Sequence, residues 1–156
     1  MHSYEFYMNK ALQEALKAYA MGEIPVGAVV VSSEGNVLSK AHNETISRHD
    51  PSAHAEIIAM RKAARILKNY RLHKTRIYVT IEPCVMCAGA LIHARVDEVI
   101  FGVSDPKWGG LTSLYQLGND HRLNHRLKII SGVLETECGS IMQRFFQEKR
   151  NAKGAI

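Results

Sequence analysis

The chain has 156 residues, a length that predicts one domain with a single sizeable core. Its composition, 46% hydrophobic and 22% charged, is that of a soluble globular protein, and no run of about 18 apolar residues predicts a membrane span. Three cysteines and no signal-peptide pattern predict a reducing, cytoplasmic location. The net charge of +5 weakly favours a polyanionic partner.

The first predicted elements are a helix and a hairpin. Apolar residues at helical spacing predict a helix from about His2 to Met21, and short apolar runs predict strands over residues 26–31 and 37–42. The loop after the second strand carries Asn43, whose amide both donates and accepts hydrogen bonds. Asn43 can therefore bind a base edge or a ribose hydroxyl, although an arbitrary loop Asn more often caps its own backbone.

The second predicted helix carries the first half of a motif. Asp50-Pro51 is typical of an N-cap followed by Pro at the first helical position, and it predicts a helix to about Lys68. His54 and Glu56 then lie in or near its first two turns. Because residues two apart do not share a face of a helix, a metal bound by His54 with Glu56 beside it must lie off the helix end.

The second half of the motif is a P-C-x-x-C run that follows a predicted strand over residues 77–81. It suits the start of another helix, ending near His93, and Cys84 and Cys87 would share one face of that helix. A helix start also lowers the pKa of thiols. We therefore expect two helix starts to face each other across a metal.

One imidazole and two thiolates supply three protein ligands for zinc, and the fourth position stays open for water, which is typical of a catalytic site. Glu56, beside the metal but not needed as a ligand, is then the predicted proton carrier. A lone C-x-x-C could instead be a redox pair, two core thiols, or part of a closed zinc site with His93. H-x-E followed by P-C-x-x-C is the signature of the zinc nucleobase deaminases and favours the catalytic interpretation.

The remaining elements predict an α/β domain. Strands are expected over residues 99–103 and 127–131, and a closing helix near Glu135 whose apolar face includes a buried Cys138. The loop between these strands carries Trp108, which could stack on a base or pin the loop to the core. Strands that alternate with helices predict one sheet with helices on both faces.

Beyond the zinc signature, the chain resembles the tRNA-specific adenosine deaminase family, within the cytidine/deoxycytidylate deaminase superfamily. The likeness covers nearly the whole chain and is carried by Val26–Val29, Asn43, Arg48–Glu56, Asn69–Leu72, Tyr78–Ala90, Val99–Gly102, Asn124–Arg126 and Phe145–Phe146. It implies a cytidine-deaminase-like three-layer α/β/α sandwich with a five-stranded mixed sheet. It also implies one zinc per chain, bound by His54, Cys84 and Cys87, and a homodimer. We expect the deaminase domain to cover residues 1–150, with a frayed tail over 151–156.

The resemblance further implies hydrolytic deamination of adenosine to inosine at the wobble position of a tRNA anticodon, with an arginine tRNA as the expected substrate. Glu56 would be catalytic and Asn43 would hold the base. Phe146, Lys149 and Arg150 would contact neighbouring nucleotides of the anticodon stem-loop. Helical spacing supports this RNA contact, since both cations lie on the Phe146 side of the helix. Alternatively, Phe146 could be part of the core, and the two cations could simply suit a helix C-terminus.

Two rival functions remain open at this point. A deaminase of a free base or nucleoside would share the metal site but would not need a basic C-terminal helix. A non-catalytic zinc protein that only binds RNA would have no use for an unliganded Glu56 beside the metal. Relatives often place a basic residue after the matching Asn43, where this chain has Glu44-Thr45.

Overall fold

The computed structural model describes residues 1–154, which form four helices and five strands. None of these helices has the length and apolar character needed to cross a bilayer. A single 3-10 turn, Leu117–Asn119, lies between the last two strands. In chain order the elements are α1 Tyr4–Ala20, β1 Gly27–Ser32, β2 Val37–His42, α2 Ala55–Leu67, β3 Thr75–Ile81, α3 Val85–His93, β4 Glu98–Val103, β5 Lys128–Ile130 and α4 Glu135–Gly154.

The strands form one mixed sheet in the order β2-β1-β3-β4-β5. Strand β1 pairs antiparallel with both β2 and β3, whereas β3, β4 and β5 are parallel. Strands β2, β3 and β4 therefore run in the same direction and end at the same edge of the sheet. The loops that follow them begin with Asn43, Glu82 and Ser104, so the topology alone brings these three segments together.

Helices cover both faces of the sheet. Strand β1 is buried on both sides: Ala28 and Val30 pack in the core beneath α2 and α3, while Val29 and Val31 pack in the core with α1 and α4. Cys138 of α4 is fully buried in the second core, and burial raises its pKa to about 12. The predicted three-layer α/β/α sandwich and the buried core thiol are confirmed.

Most predicted boundaries differ from the structure by one or two residues, and three of the differences concern the starts of α2 and α3 and the end of α4. Asp50 is not the N-cap of α2, because its Oδ1 accepts hydrogen bonds from the backbone N–H and the hydroxyl of Ser52, at 2.8 and 2.7 Å, and so closes a turn before the helix. Pro83 likewise precedes α3, which begins at Val85. Helix α4 continues to Gly154, so residues 151–154 of the expected tail are helical. Residues 155–156 lie outside the described part, and a domain limited to residues 1–150 stays a prediction.

Candidate active site

His54, Cys84 and Cys87 converge at the edge where β3 ends. The Nδ1 atom of His54 lies 3.6 Å from Cys84 Sγ and 3.5 Å from Cys87 Sγ, and the three ligand atoms lie within 4.8 Å of one another. Tetrahedral zinc with bonds of about 2.3 Å to sulfur and about 2.0 Å to nitrogen separates N from S by roughly 3.5 Å. The donor set and its spacing therefore fit zinc.

Backbone conformation explains how the first two ligands reach this point. His54 is the N-cap of α2 and Cys84 is the N-cap of α3, and both have extended backbones, with φ/ψ of −76°/151° and −71°/176°. Neither side chain caps its own helix, so both remain free to bind a metal. Cys87 lies one turn into α3, next to its N-cap. The expectation that two helix starts face each other is confirmed.

Asn43 supplies the cap that His54 does not. Its Oδ1 accepts a hydrogen bond from the backbone N–H of Ala55 at 2.8 Å, which satisfies the first N–H of α2. Because that bond uses the oxygen, the Nδ2 amino group is the half of the amide left to donate to a ligand. Asn43 is buried and lines the same cavity as His54 and Cys84. It thus caps a helix from a distant loop rather than its own turn.

Glu56 lies on the first turn of α2, beside the three ligands but outside their group. Its side chain is 3% exposed, and this burial raises the pKa of the carboxyl above its usual value. The raised pKa makes this carboxylate a stronger proton acceptor than an exposed glutamate. The role of Glu56 as proton carrier stays a prediction.

The two thiols shift each other's pKa in opposite directions. A hydrogen bond with Cys87 lowers the pKa of Cys84 to about 4, and the same bond raises the pKa of Cys87. The hydrogen bond with Cys84 also raises the pKa of His54, although burial opposes it. This network holds a thiolate at Cys84, and zinc selects the thiolate form of both cysteines.

Asn43, His54, Glu56 and Cys84 line a cavity of about 1260 Å³ that opens to solvent. Its volume exceeds that of ordinary small-molecule pockets, roughly 300–1,000 Å³. Glu56 and Asn43 are its buried polar lining residues, whereas several of the exposed side chains that line it are large and apolar. These are Ile24, Val85, Met86, Trp108 and Phe146.

A buried carboxylate holds the loop after β4 against the cavity. Glu82 Oε1 accepts from the backbone N–H of Asp105 at 3.2 Å and from the Ser113 hydroxyl, and its Oε2 accepts from the backbone N–H groups of Leu111, Thr112 and Ser113 at 2.9–3.2 Å. Burial alone would raise the pKa of Glu82, but these hydrogen bonds lower it below the usual value. A carboxylate with five donors and no cation fixes the path of this loop.

Glu23 holds the loop after β2 in the same way. Its side chain is almost fully buried and accepts from the backbone N–H groups of Ile46 at 2.7 Å and Ser47 at 2.8 Å. Neither Glu23 nor Glu82 was predicted from the sequence. For Glu82 the adjacent P-C-x-x-C run was an available signal, whereas Glu23 follows a helix end and has no pattern of its own.

The three residues of α4 predicted to contact RNA do not all face the cavity. Phe146 is 40% exposed, and it lines the cavity together with Arg150. Lys149 does not line the cavity, and its Nζ lies over the Phe145 ring, 5.4 Å from the ring centroid. Helix α4 is held in place by Tyr19 of α1, which hydrogen-bonds Glu148 and lies under the guanidinium of Arg144.

Two sequence alternatives can be decided. His93 lines a separate groove on α2 and α3, so the closed zinc site that would include it is wrong. Trp108 is 67% exposed, so it does not pin its loop to the core.

The fold and the site together define a class of protein. Two helix starts at one edge of a five-stranded α/β/α sandwich present one imidazole and two thiols, and a carboxyl lies beside them. This arrangement is that of the zinc-dependent nucleobase deaminases.

Comparison with known proteins supports the assignment to the zinc-dependent nucleobase deaminases. Residues 1–103 match the family described as the cytidine and deoxycytidylate deaminase zinc-binding region. The tRNA-specific adenosine deaminase of Haemophilus influenzae is 47% identical over 149 residues, covering 96% of this chain and 86% of the relative. That of Bacillus subtilis is 44% identical over 151 residues, covering 97% of this chain and 93% of the relative. The chain belongs to the tRNA-specific adenosine deaminase family.

Solved structures give the same result. A chain from a structural study of A-to-I editing by tRNA:A34 deaminases at the wobble position of transfer RNA superposes with a TM-score of 0.84 at 38% identity. That match covers 87% of this chain and 98% of the other. A guanine deaminase from Nitrosomonas europaea shares the fold with a TM-score of 0.81 at 19% identity, covering 93% of this chain and 85% of the other. At 19% identity, the match to the guanine deaminase supports only the fold.

The role of Glu82 can be tested by Glu82→Gln, which keeps the shape but replaces one accepting oxygen by a donor. At least one buried backbone N–H in the loop then loses its acceptor, and we expect unfolding in urea to show a loss of about 2 kcal/mol. Hydrogen exchange at residues 111–113 should become faster. Ser113→Ala, which removes only the hydroxyl, is the control and should cost about 1 kcal/mol or less. Unchanged exchange in Glu82→Gln would show that the loop does not depend on this carboxylate.

Proposed function

We propose that this protein is a zinc-dependent hydrolytic deaminase that converts adenosine to inosine at the wobble position of a tRNA anticodon, with an arginine tRNA as the expected substrate and the cytoplasm as its location. The observation that carries the proposal is the buried carboxyl of Glu56 beside a three-ligand site at the bottom of an open cleft. Identity of 47% to a tRNA-specific adenosine deaminase over nearly the whole chain supports the substrate.

The chemistry divides between the metal and the chain. Zinc bound by His54, Cys84 and Cys87 supplies a Lewis acid that lowers the pKa of a coordinated water to roughly 7. Glu56 takes a proton from the water that attacks C6 of adenine and delivers it to the ring nitrogen next to C6. Glu56 then helps the amino group to leave as ammonia, and the carbonyl of inosine remains.

Asn43 orients the base for this attack. Its oxygen is bound to the N–H of Ala55, so the Nδ2 group is the part that can donate to an acceptor on the purine or its ribose. Because Ala55 lies between His54 and Glu56, the same hydrogen bond ties the base-binding amide to the catalytic helix start. We therefore assign Asn43 to both substrate binding and the alignment of α2.

The RNA substrate fits the outer part of the cleft. A base in an anticodon loop is already unpaired, which lowers the free energy needed to flip it out. Phe146 offers an exposed aromatic edge and Arg150 a cation at the same cleft, as a flipped nucleotide and its phosphates require. Lys149, on the neighbouring face of α4, would meet phosphates farther from the flipped base.

The other basic cluster of the sequence is a weaker candidate for RNA contact. In the segment over residues 121–128, Arg122 is paired with Asp120 at 2.7 Å and Lys128 with Glu98 at 3.4 Å. The His125 ring donates to the backbone carbonyl of Val96 at 2.6 Å. Much of this segment therefore already serves the fold. In the loop after Asn43, Glu44 forms an ion pair with Arg48, so this loop still carries a cation.

The two rival functions are less well supported. A deaminase of free bases would need a closed pocket of nucleobase size, whereas this cleft is open and continues to a basic helix. A non-catalytic zinc protein that binds RNA would have no need for the buried Glu56 beside its metal. The tRNA-directed deaminase is the function that uses both features.

The first test offers zinc-loaded protein an anticodon stem-loop with adenosine at the wobble position, the same loop with cytidine there, and free adenosine. We expect inosine from the first RNA only, detected by nucleoside analysis.

Glu56→Gln should keep the fold and the zinc but lose deamination, because an amide cannot shuttle the proton. Turnover of free adenosine at a comparable rate would favour the first rival, and substantial turnover by Glu56→Gln would assign the proton transfer to another group.

We also propose one zinc per chain and a homodimer. Metal analysis of the purified protein should give one zinc per chain, and Cys87→Ser should lose most of it because a thiolate ligand is gone. Mass measurement in solution at micromolar concentration should give about twice the 17.5 kDa of one chain. A metal content well below one, or a mass near 17.5 kDa, would contradict the corresponding proposal.

The cations of α4 can be tested against a matched pair. If they contact phosphates, Lys149→Ala with Arg150→Ala should weaken binding of the stem-loop and flatten its salt dependence, each lost contact reducing the slope by roughly 1. Of the single variants, Arg150→Ala should lose more affinity, because Arg150 lines the cleft and Lys149 does not. Lys62→Ala with Arg65→Ala removes the same charge from exposed positions of α2 and should leave the slope unchanged. Equal slopes for both double variants would exclude α4 from RNA recognition.

A further inference from the structure

The loop over residues 104–113 presents the most exposed large aromatic side chain at the cleft. Trp108 is 67% exposed although it is the largest type of side chain in the protein. It is also the single tryptophan of the chain. Burial of such a side chain would be strongly favourable, so its position in solvent calls for a ligand that covers it.

The backbone around Trp108 is held rigidly on both sides. Asp105 Oδ1 accepts from the N–H groups of Lys107 and Trp108 at 3.1 and 3.2 Å. Gly109 pairs with Cys84 as an isolated bridge, and the N–H of Gly110 donates to the carbonyl of Pro83 at 2.8 Å. The segment that carries Trp108 is thus bonded to the segment that carries a zinc ligand.

Two close approaches leave this loop no room to move inward. A Cβ on Gly109 would lie 2.5 Å from Glu82 Oε2, and a Cβ on Gly110 would lie 2.7 Å from the backbone nitrogen of Val85. Glu82 also fixes the far side of the loop through Leu111, Thr112 and Ser113. The exposure of Trp108 is therefore set by a packed backbone, and the indole is presented to the cleft at low entropic cost on binding.

The surroundings of Trp108 indicate what covers it. Phe146 and Met86 add apolar surface to the same cleft, and Lys107 and Arg150 add two cations. Aromatic surface beside cations matches an unpaired base and its phosphate, since bases stack on aromatic rings with little dependence on sequence. A folded protein partner would not require this combination beside a zinc site.

We propose that Trp108 is a stacking platform for an unpaired base of the substrate RNA next to the base that enters the zinc site. The proposal rests on the RNA-directed function above and adds a binding residue for the flanking nucleotide. Stacking holds the neighbour in place while the target base is turned into the cavity, so Trp108 acts on RNA binding and not on the chemical step.

The single tryptophan makes a direct test possible. Zinc-loaded Glu56→Gln protein, which should bind RNA without consuming it, is titrated with the wobble-adenosine stem-loop while tryptophan emission is followed. We expect saturable quenching that a fully paired RNA hairpin does not produce. Binding of the stem-loop without any change in emission would overturn the proposal. Emission that is already shielded from acrylamide without RNA, and depends on protein concentration, would also overturn it, because a second copy would then cover Trp108.

Variants separate this proposal from the proposed function. In the otherwise unchanged enzyme, Trp108→Ala should weaken stem-loop binding and raise KM about tenfold with little change in kcat, and Trp108→Phe should restore most of the loss. Tyr115→Ala, which removes an exposed aromatic of the same β4–β5 connection that does not line the cleft, is the matched control and should behave as the parent. If the parent deaminates the stem-loop and Trp108→Ala does so equally well, stacking is wrong and the function stands. If the parent does not act on the stem-loop at all, both fail.

Discussion

The metal site depends on two residues that must stay outside the helices they begin. His54 and Cys84 are N-caps with extended backbones, and this conformation turns both side chains toward one point between the starts of α2 and α3. A helical His54 would face a different side of α2 from Glu56, because residues two apart on a helix diverge. The sheet makes the meeting possible, since β2, β3 and β4 end at one edge and deliver their loops there.

An N-cap that binds metal cannot also cap its helix, and the structure resolves this conflict locally. Asn43 reaches across from the end of β2 to accept from Ala55, so the first N–H of α2 is satisfied while the His54 imidazole stays free. Glu82 and Glu23 apply the same solution to the loops, each binding several backbone N–H groups with buried oxygens. Both use neutral donors rather than Lys or Arg, so the cations at the cleft remain available for phosphate.

The sequence predicts the chemistry of the site better than its local geometry. Spacing identified His54, Cys84, Cys87 and Glu56 as a group, because metal ligation restricts both residue type and order. It placed the start of α2 four residues too early, since Asp50-Pro51 matches a capped helix in pattern but closes a turn through Ser52. It also could not separate Lys149 from Arg150, because adjacent helical positions differ by about 100° and only tertiary packing decides which one faces the cleft.

The cleft has to satisfy two opposite requirements, and its depth separates them. The proposed proton transfer by Glu56 requires a dry surrounding that raises the pKa of the carboxyl, and the burial of Glu56 supplies it. The backbone of the proposed RNA substrate requires water and counter-charges, and the outer cleft offers partly exposed apolar side chains with Lys107 and Arg150 among them. A substrate that spans both zones must place one base inside and leave its neighbours outside, which is the geometry of a single flipped nucleotide in a loop. A free base would use only the inner zone, and the exposed Trp108 and Phe146 would then have nothing to bind.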